Sequence, residues 1–310
     1  MLFLLCAIFL GSLFSVVFKL CQQHGINTEQ VILFNYVTAF VVSIAPIAWS
    51  VVSDPLVQAS DYMLEPGIFL LAAVEGIFFM LGFVVMNRST WRSGVALTTS
   101  SARASLILPV ILSWALLSQP APRWIPVILV LAAMLMIMLP AQSIKHPAAV
   151  QTGISDEVRR RKTVLALGCV FLVYGISDFT LKVVQNAAEQ ACGGDPVVVD
   201  NHMSSLMTII FLMALLASLA VCYYTESFKK SKVGLKSIQG GIVLGLVNTG
   251  CTFCMLKALG KMSTGLFYPL YNIGIVLVAS LVGVFFFKEK LKWLQIAGIL
   301  VAVVAIALFF

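Results

Sequence analysis

Ten apolar runs, separated mostly by short polar breaks, follow one another along the 310 residues. They cover 2–20, 31–51, 67–86, 95–117, 124–140, 163–183, 202–223, 239–258, 265–287 and 293–310, and one bilayer crossing takes about 20 such residues. Unpaired backbone N–H and C=O groups are prohibitive in lipid, and these runs lack the apolar–polar alternation of barrel strands, so each is read as a helix. The expected fold class is an all-α integral membrane protein with ten transmembrane helices. With 60% hydrophobic residues and only 33 charged ones (20 Lys plus Arg, 13 Asp plus Glu), the chain cannot clothe a water-facing surface, which usually takes about 25% charged residues. Soluble enzymes and nucleic-acid binders are thereby excluded. The net charge of +7 sits mostly in loops at the membrane edge and reads as a topology signal. Met1 to Leu20 lacks the charged start and small-residue cleavage site of a signal peptide and is read as a retained first span.

The sequence repeats itself. A shift of 169 residues pairs Met86, Arg88 and Arg92 with Met255, Lys257 and Lys261, Arg103 with Asn272, and Trp124 with Trp293. A shift of 166 pairs Val31, Asn35, Tyr36 and Thr38 with Val197, Asn201, His202 and Ser204, and a shift of 163 pairs Ser15 and Lys19 with Asp178 and Lys182. The matches fall on polar, basic and Trp positions, which apolar composition alone does not repeat in register. Two units are therefore expected, 1–140 and 163–310, joined by a linker at 141–162 that ends in Arg159-Arg160-Arg161-Lys162. Five spans per unit is an odd number, so the second unit is expected to enter the bilayer inverted, a plan from which carriers obtain two pseudo-symmetric conformations about one midplane site. Ala72-x-x-x-Gly76 falls on Gly241-x-x-x-Gly245 in the same frame, the small-residue spacing that lets membrane helices approach closely.

The five-plus-five plan, the first span leading into Lys19 and then Asn35-Tyr36, and the closing segment from Leu281 to Leu308 with Lys288-Glu289-Lys290, Trp293, Gln295 and Gly298 together resemble the ten-helix, EamA-like members of the drug/metabolite transporter superfamily. The resemblance spans nearly the whole chain. It implies a secondary transporter that moves a small metabolite or drug-like solute by alternating access without ATP, through a polar cavity between the halves, in a bacterial cytoplasmic membrane. The chain departs from the family pattern in having Ser118-Gln119-Pro120 where the second half has Phe287-Lys288-Glu289. It also departs in charge. The loops after spans five, seven and nine hold most of the Lys and Arg, so the positive-inside rule places both termini outside, whereas the resemblance implies both inside.

Glu75, Arg103 and Asp178 lie well within apolar runs. Each costs about 2.5 to 3.5 kcal/mol at a helix centre on insertion scales, so each should face protein or water. Two readings of Glu75 and Arg103 stand side by side. They form a buried ion pair between consecutive spans, or Arg103 binds a substrate carboxylate or phosphate while Glu75 exchanges a proton. Asp178 either pairs with Lys182, four residues on, or faces the cavity as a second proton-coupling candidate while Lys182 snorkels away. The expected substrate-binding set is Arg103, Glu75, Asp178, Asn248, Asn272, Asn35, Tyr271 and Ser15. Asn35 and Asn201 open spans two and seven, where the alternative is a helix cap.

Chemistry beyond binding finds little support. The motifs H-E-x-x-H and G-x-S-x-G are absent, and Gly260-Lys261 lacks the rest of a P-loop. Seven cysteines, at 6, 21, 169, 192, 222, 251 and 254, form no disulfide framework, and neither Cys251-x-x-Cys254 nor the histidines at 24, 146 and 202 make a metal constellation. The expectation is a non-enzymatic chain with no metal and no cofactor, whose partners are a small solute and the lipid bilayer. An intramembrane scaffold or a lipid-acting enzyme is the alternative function class.

Overall fold

The computed structural model describes residues 1–23, 26–53, 62–93, 95–138, 156–191, 196–225, 227, 233–287 and 292–310. Their regular structure is helical: α1 (Leu2–Gln23), α2 (Thr28–Ser53), α3 (Pro66–Ser93), α4 (Val95–Ala104), α5 (Ile107–Leu116), α6 (Trp124–Met138), α7 (Asp156–Ala191), α8 (Pro196–Tyr224), α9 (Leu235–Leu259), α10 (Thr264–Phe287) and α11 (Trp293–Ala307). Seven stretches are long and apolar enough to cross a membrane, with α4 and α5 counted as one, and three shorter apolar helices bring the number to ten. The helices are apolar on both sides. On α6, Val127, Val130, Ala133, Met134 and Ile137 form the buried stripe, while Ile128 and Leu135 on the opposite face are exposed. Such a surface requires lipid around it.

Three of the boundaries that differ from the sequence reading have a local reason. The run 95–117 is split after Ala104, because Pro109 has no N–H and its ring crowds the carbonyl four residues back, that of Ser105. That carbonyl instead accepts from Leu108 N at 2.9 Å, a tighter turn, and Ser105 Oγ bonds the Ala102 carbonyl at 2.6 Å. Second, α7 starts at Asp156, so the run Arg159 to Lys162 is helical. Lys, Arg and Glu are good helix formers, and acidic residues suit a helix start. Of the expected linker, residues 141–155 lie outside the described residues. Third, α8 starts at Pro196, a favoured first helical position, so Asn201 lies inside the helix and does not cap it. The cap of α2 is likewise not Asn35 but Asn27, whose Oδ1 accepts from the backbone N–H of Glu29 (3.0 Å) and Gln30 (3.4 Å).

The described chain divides into two compact units that cut across the sequence halves: Met1–Met80 with Thr180–Met262, and Leu81–Phe179 with Ser263–Phe310. In the first, α9 packs against α1 and α2, and α2 packs against α8. Val31 and Leu244 are fully buried at the α2–α9 contact, with Phe14, Val17 and Ile26 around them. The small-residue spacing makes this contact close, as expected. A Cβ on Gly245 would lie 2.6 Å from the Asn35 carbonyl oxygen, and one on Gly76 would lie 2.3 Å from that of Ile210 on α8. In the second unit α6 packs along α11, and α10 touches α5, α6 and α11. Helices α6 and α11 are each 15 residues long and begin at Trp124 and Trp293, the two tryptophans that the 169-residue shift superimposes. Arg123 closes the end of α11 by donating from Nη1 to the carbonyls of Phe309 (2.8 Å) and Leu308 (3.3 Å), a C-terminal cap by a cation.

Candidate functional site

The second unit holds two of the three charged candidates, Arg103 and Asp178. Arg103 sits in the last turn of α4, immediately before the break that Pro109 causes. A cation there meets the negative end of the half-helix, and broken helices with free backbone ends are where membrane carriers build their sites. Arg103 Nη1 donates to Asn272 Oδ1 at 3.2 Å, and Asn272 Nδ2 donates to the Tyr268 carbonyl at 3.0 Å. The second bond fixes the amide so that its oxygen faces the guanidinium. Arg103 and Asn272 are 169 residues apart, and they are the pair that the sequence repeat superimposes.

Asp178 enters from α7. A Cβ on Gly175 would lie 2.5 Å from Leu108 Cδ1 and 2.8 Å from Leu108 Cβ, so only glycine lets α7 come this close to α5. Ser101 Oγ, which donates to the Leu167 carbonyl at 2.7 Å, ties α4 to the same helix. Asp178 is three residues beyond Gly175, and its charge is within electrostatic reach of Arg103. The Tyr268 hydroxyl donates to the backbone carbonyl of Asp178, so this bond does not engage the carboxylate. Tyr174, one turn earlier on α7, interacts with the charges of both Arg103 and Asp178; it was not among the residues that sequence singled out, since nothing in an apolar run marks one tyrosine as facing two charges. Arg103 and Asp178 are only part-buried, while Asn272 and Tyr268 are buried. Tyr271 is buried and stacks on Phe267, ring centroids 5.5 Å apart and 11° from parallel.

The first unit holds the other candidates. Asn248 Nδ2 donates to Asn35 Oδ1 at 3.2 Å, joining α9 to α2, and both residues are buried. Glu75 is fully buried on α3. It belongs to the first unit and Arg103 to the second. Ser15 lies in α1, with its side chain outside the described ones. Lys182 follows neither course expected of it. It is 3% exposed and does not snorkel, and its Nζ donates to the Leu259 carbonyl (2.8 Å) and to Gln185 Oε1 (2.6 Å) instead of pairing with Asp178. The helix end of α9 offers an unpaired carbonyl within reach of a long side chain, which spacing along α7 alone does not reveal.

A family model described as the EamA-like transporter family matches residues 197–310. An uncharacterised protein of Haemophilus influenzae is 24% identical over 305 residues, covering 98% of this chain and 95% of the relative. A solved structure described only as a crystal structure of a protein superimposes with a TM-score of 0.68 at 12% identity, covering 99% of this chain and 95% of that one, and so shares the fold. Over residues 197–310 the chain thus matches the EamA-like transporter family, part of the drug/metabolite transporter superfamily, and the protein is an integral membrane protein whose described residues are helical where regular.

Proposed function

We propose that the protein is a secondary carrier that moves a small anionic or zwitterionic solute by alternating access, with Arg103 as the contact for its anionic group. The observation that carries this reading is the state of the Arg103 guanidinium. It is part-buried beside a helix break and oriented by Asn272 through one nitrogen. A guanidinium has five donors in a planar fork, so capacity remains for a carboxylate or phosphate. Asp178 is the group that would meet an ammonium or carry a proton, with Glu75 as the second proton-coupling candidate. Transporter function is general in the family that matches residues 197–310. The 1–140 and 163–310 halves are proposed as inverted repeats. Packing between helices that the repeat superimposes, α2 with α8 and α6 with α11, supports that reading. A bacterial cytoplasmic membrane is proposed as the protein's location from the family resemblance alone.

The test is a thermal-shift screen of the purified protein against amino acids, organic acids, nucleotides, sugars and phosphorylated metabolites, because a ligand that favours the folded state raises its apparent stability. Stabilisation by anionic or zwitterionic compounds is expected. Stabilisation by neutral sugars alone would remove Arg103 from the binding role.

A further inference from the structure

Lys182 places an ammonium where apolar packing would suffice, and its surroundings are specific. Leu259 is the last residue of α9, and the last carbonyls of a helix lack intrahelical partners and carry the negative end of its dipole. The neighbouring carbonyls are used: Gly260 N donates to Leu256 O at 3.1 Å and Lys261 N to Ala258 O at 3.0 Å. Lys182 takes the Leu259 carbonyl at 2.8 Å. On α7, Gln185 and Glu189 follow Lys182 at three and seven residues, the spacing of one helix face. Gln185 Oε1 accepts from the ammonium at 2.6 Å, while its buried Nε2 has no hydrogen-bond partner among the described residues. The amide is therefore held by its oxygen. Glu189 acts electrostatically on Lys182. A Cβ on Gly260 would stand against its Oε1, so the glycine leaves room for the carboxylate at this corner.

A helix-end carbonyl, an amide oxygen and a carboxylate are the hard oxygen donors that alkali cations take, and helix C-termini coordinate such ions in membrane carriers. We propose that the end of α9, with Gln185 and Glu189, is an alkali-cation site and that Lys182 is a tethered cation filling it. The protein thus carries its own cation, and the site takes Na⁺ only when the ammonium is removed. A plain helix cap would need the Leu259 carbonyl alone. It would not need a buried amide with one idle nitrogen, nor a carboxylate admitted by a glycine.

The experiment uses the purified full-length protein in detergent and follows its melting midpoint as choline chloride is replaced by NaCl up to about 150 mM. The wild type should respond equally to the two salts. Lys182→Ser should be less stable in choline and gain about 3 °C specifically in NaCl, and adding Glu189→Gln should abolish that gain. Equal responses of Lys182→Ser to both salts would reduce Lys182 to a structural cap and overturn the proposal, as would Na⁺-specific stabilisation of the wild type. If Lys182→Ser is recovered folded only in NaCl, the site stands. If it is recovered in neither salt while Lys182→Arg folds, the proposal falls. None of these readouts depends on the identity of the transported solute.

Discussion

Arg103 and Lys182 are both cations carried by helices of an apolar chain, one in each unit, and they spend their hydrogen-bonding capacity differently. Lys182 is almost fully buried and gives its ammonium to two oxygens, one of them the end of a helix. Arg103 is part-buried and gives one nitrogen to Asn272. Both pay the desolvation cost of a charge out of water. The proposed binding role of Arg103 therefore rests on the donor capacity left over and on its partial exposure, not on the depth of the residue in its helix. The amide pairs make the same contrast. In the first unit, Asn248 gives its amide to Asn35 and the pair joins two helices. In the second, Asn272 is tethered to its own helix and points its oxygen at a charge.

The sharpest way to break this comparison is Arg103→Ala. It should weaken binding of the stabilising ligand about 100-fold, as expected for loss of charge-assisted bonds, while the unliganded melting midpoint moves little. A large fall in unliganded stability would place Arg103 with Lys182 as a structural cation. Next come the two glycines that bring helices together, one in each unit. Gly245→Ala should cost about 2 kcal/mol of stability, since the neighbour it meets is the backbone oxygen of Asn35, which cannot yield easily. Gly175→Ala should cost about 1 kcal/mol, because Leu108 can partly give way, but it should also weaken ligand binding because α7 carries Asp178. Denaturant titration with and without ligand separates the two, and an unchanged affinity in Gly175→Ala would detach Asp178 from the site. Smallest is the amide pair: a double-mutant cycle on Asn35→Ala and Asn248→Ala should give a coupling of about 1 kcal/mol. Strict additivity would mean that the bond does not join α2 to α9.

Particular residues show how far the sequence could be read. Small-residue spacing announced the close contacts of Gly76, Gly241 and Gly245, because helical periodicity is local and a missing side chain has one steric meaning. Repeat matching marked Arg103 and Asn272 as equivalent positions of the two halves, and the structure added that they are hydrogen-bonded. Pro109 was visible and would have predicted the break beside Arg103, but a run that is apolar throughout masks a proline by continuing past it. Partners drawn from another helix were not legible: the Leu259 carbonyl that holds Lys182, the C-terminal carbonyls that hold Arg123, and the approach of Tyr174 to two charges.

The sequence by itself determined that the chain is helical, that it belongs in a membrane and that a few costly polar groups must avoid lipid. Hydrophobicity, length and backbone satisfaction in lipid are properties of each segment alone. Only the tertiary structure decided which cation retains unused donors among the described residues. That depends on which helix end or amide lies within about 3 Å of the charged group, and such a distance is set by helix packing between residues far apart in the chain.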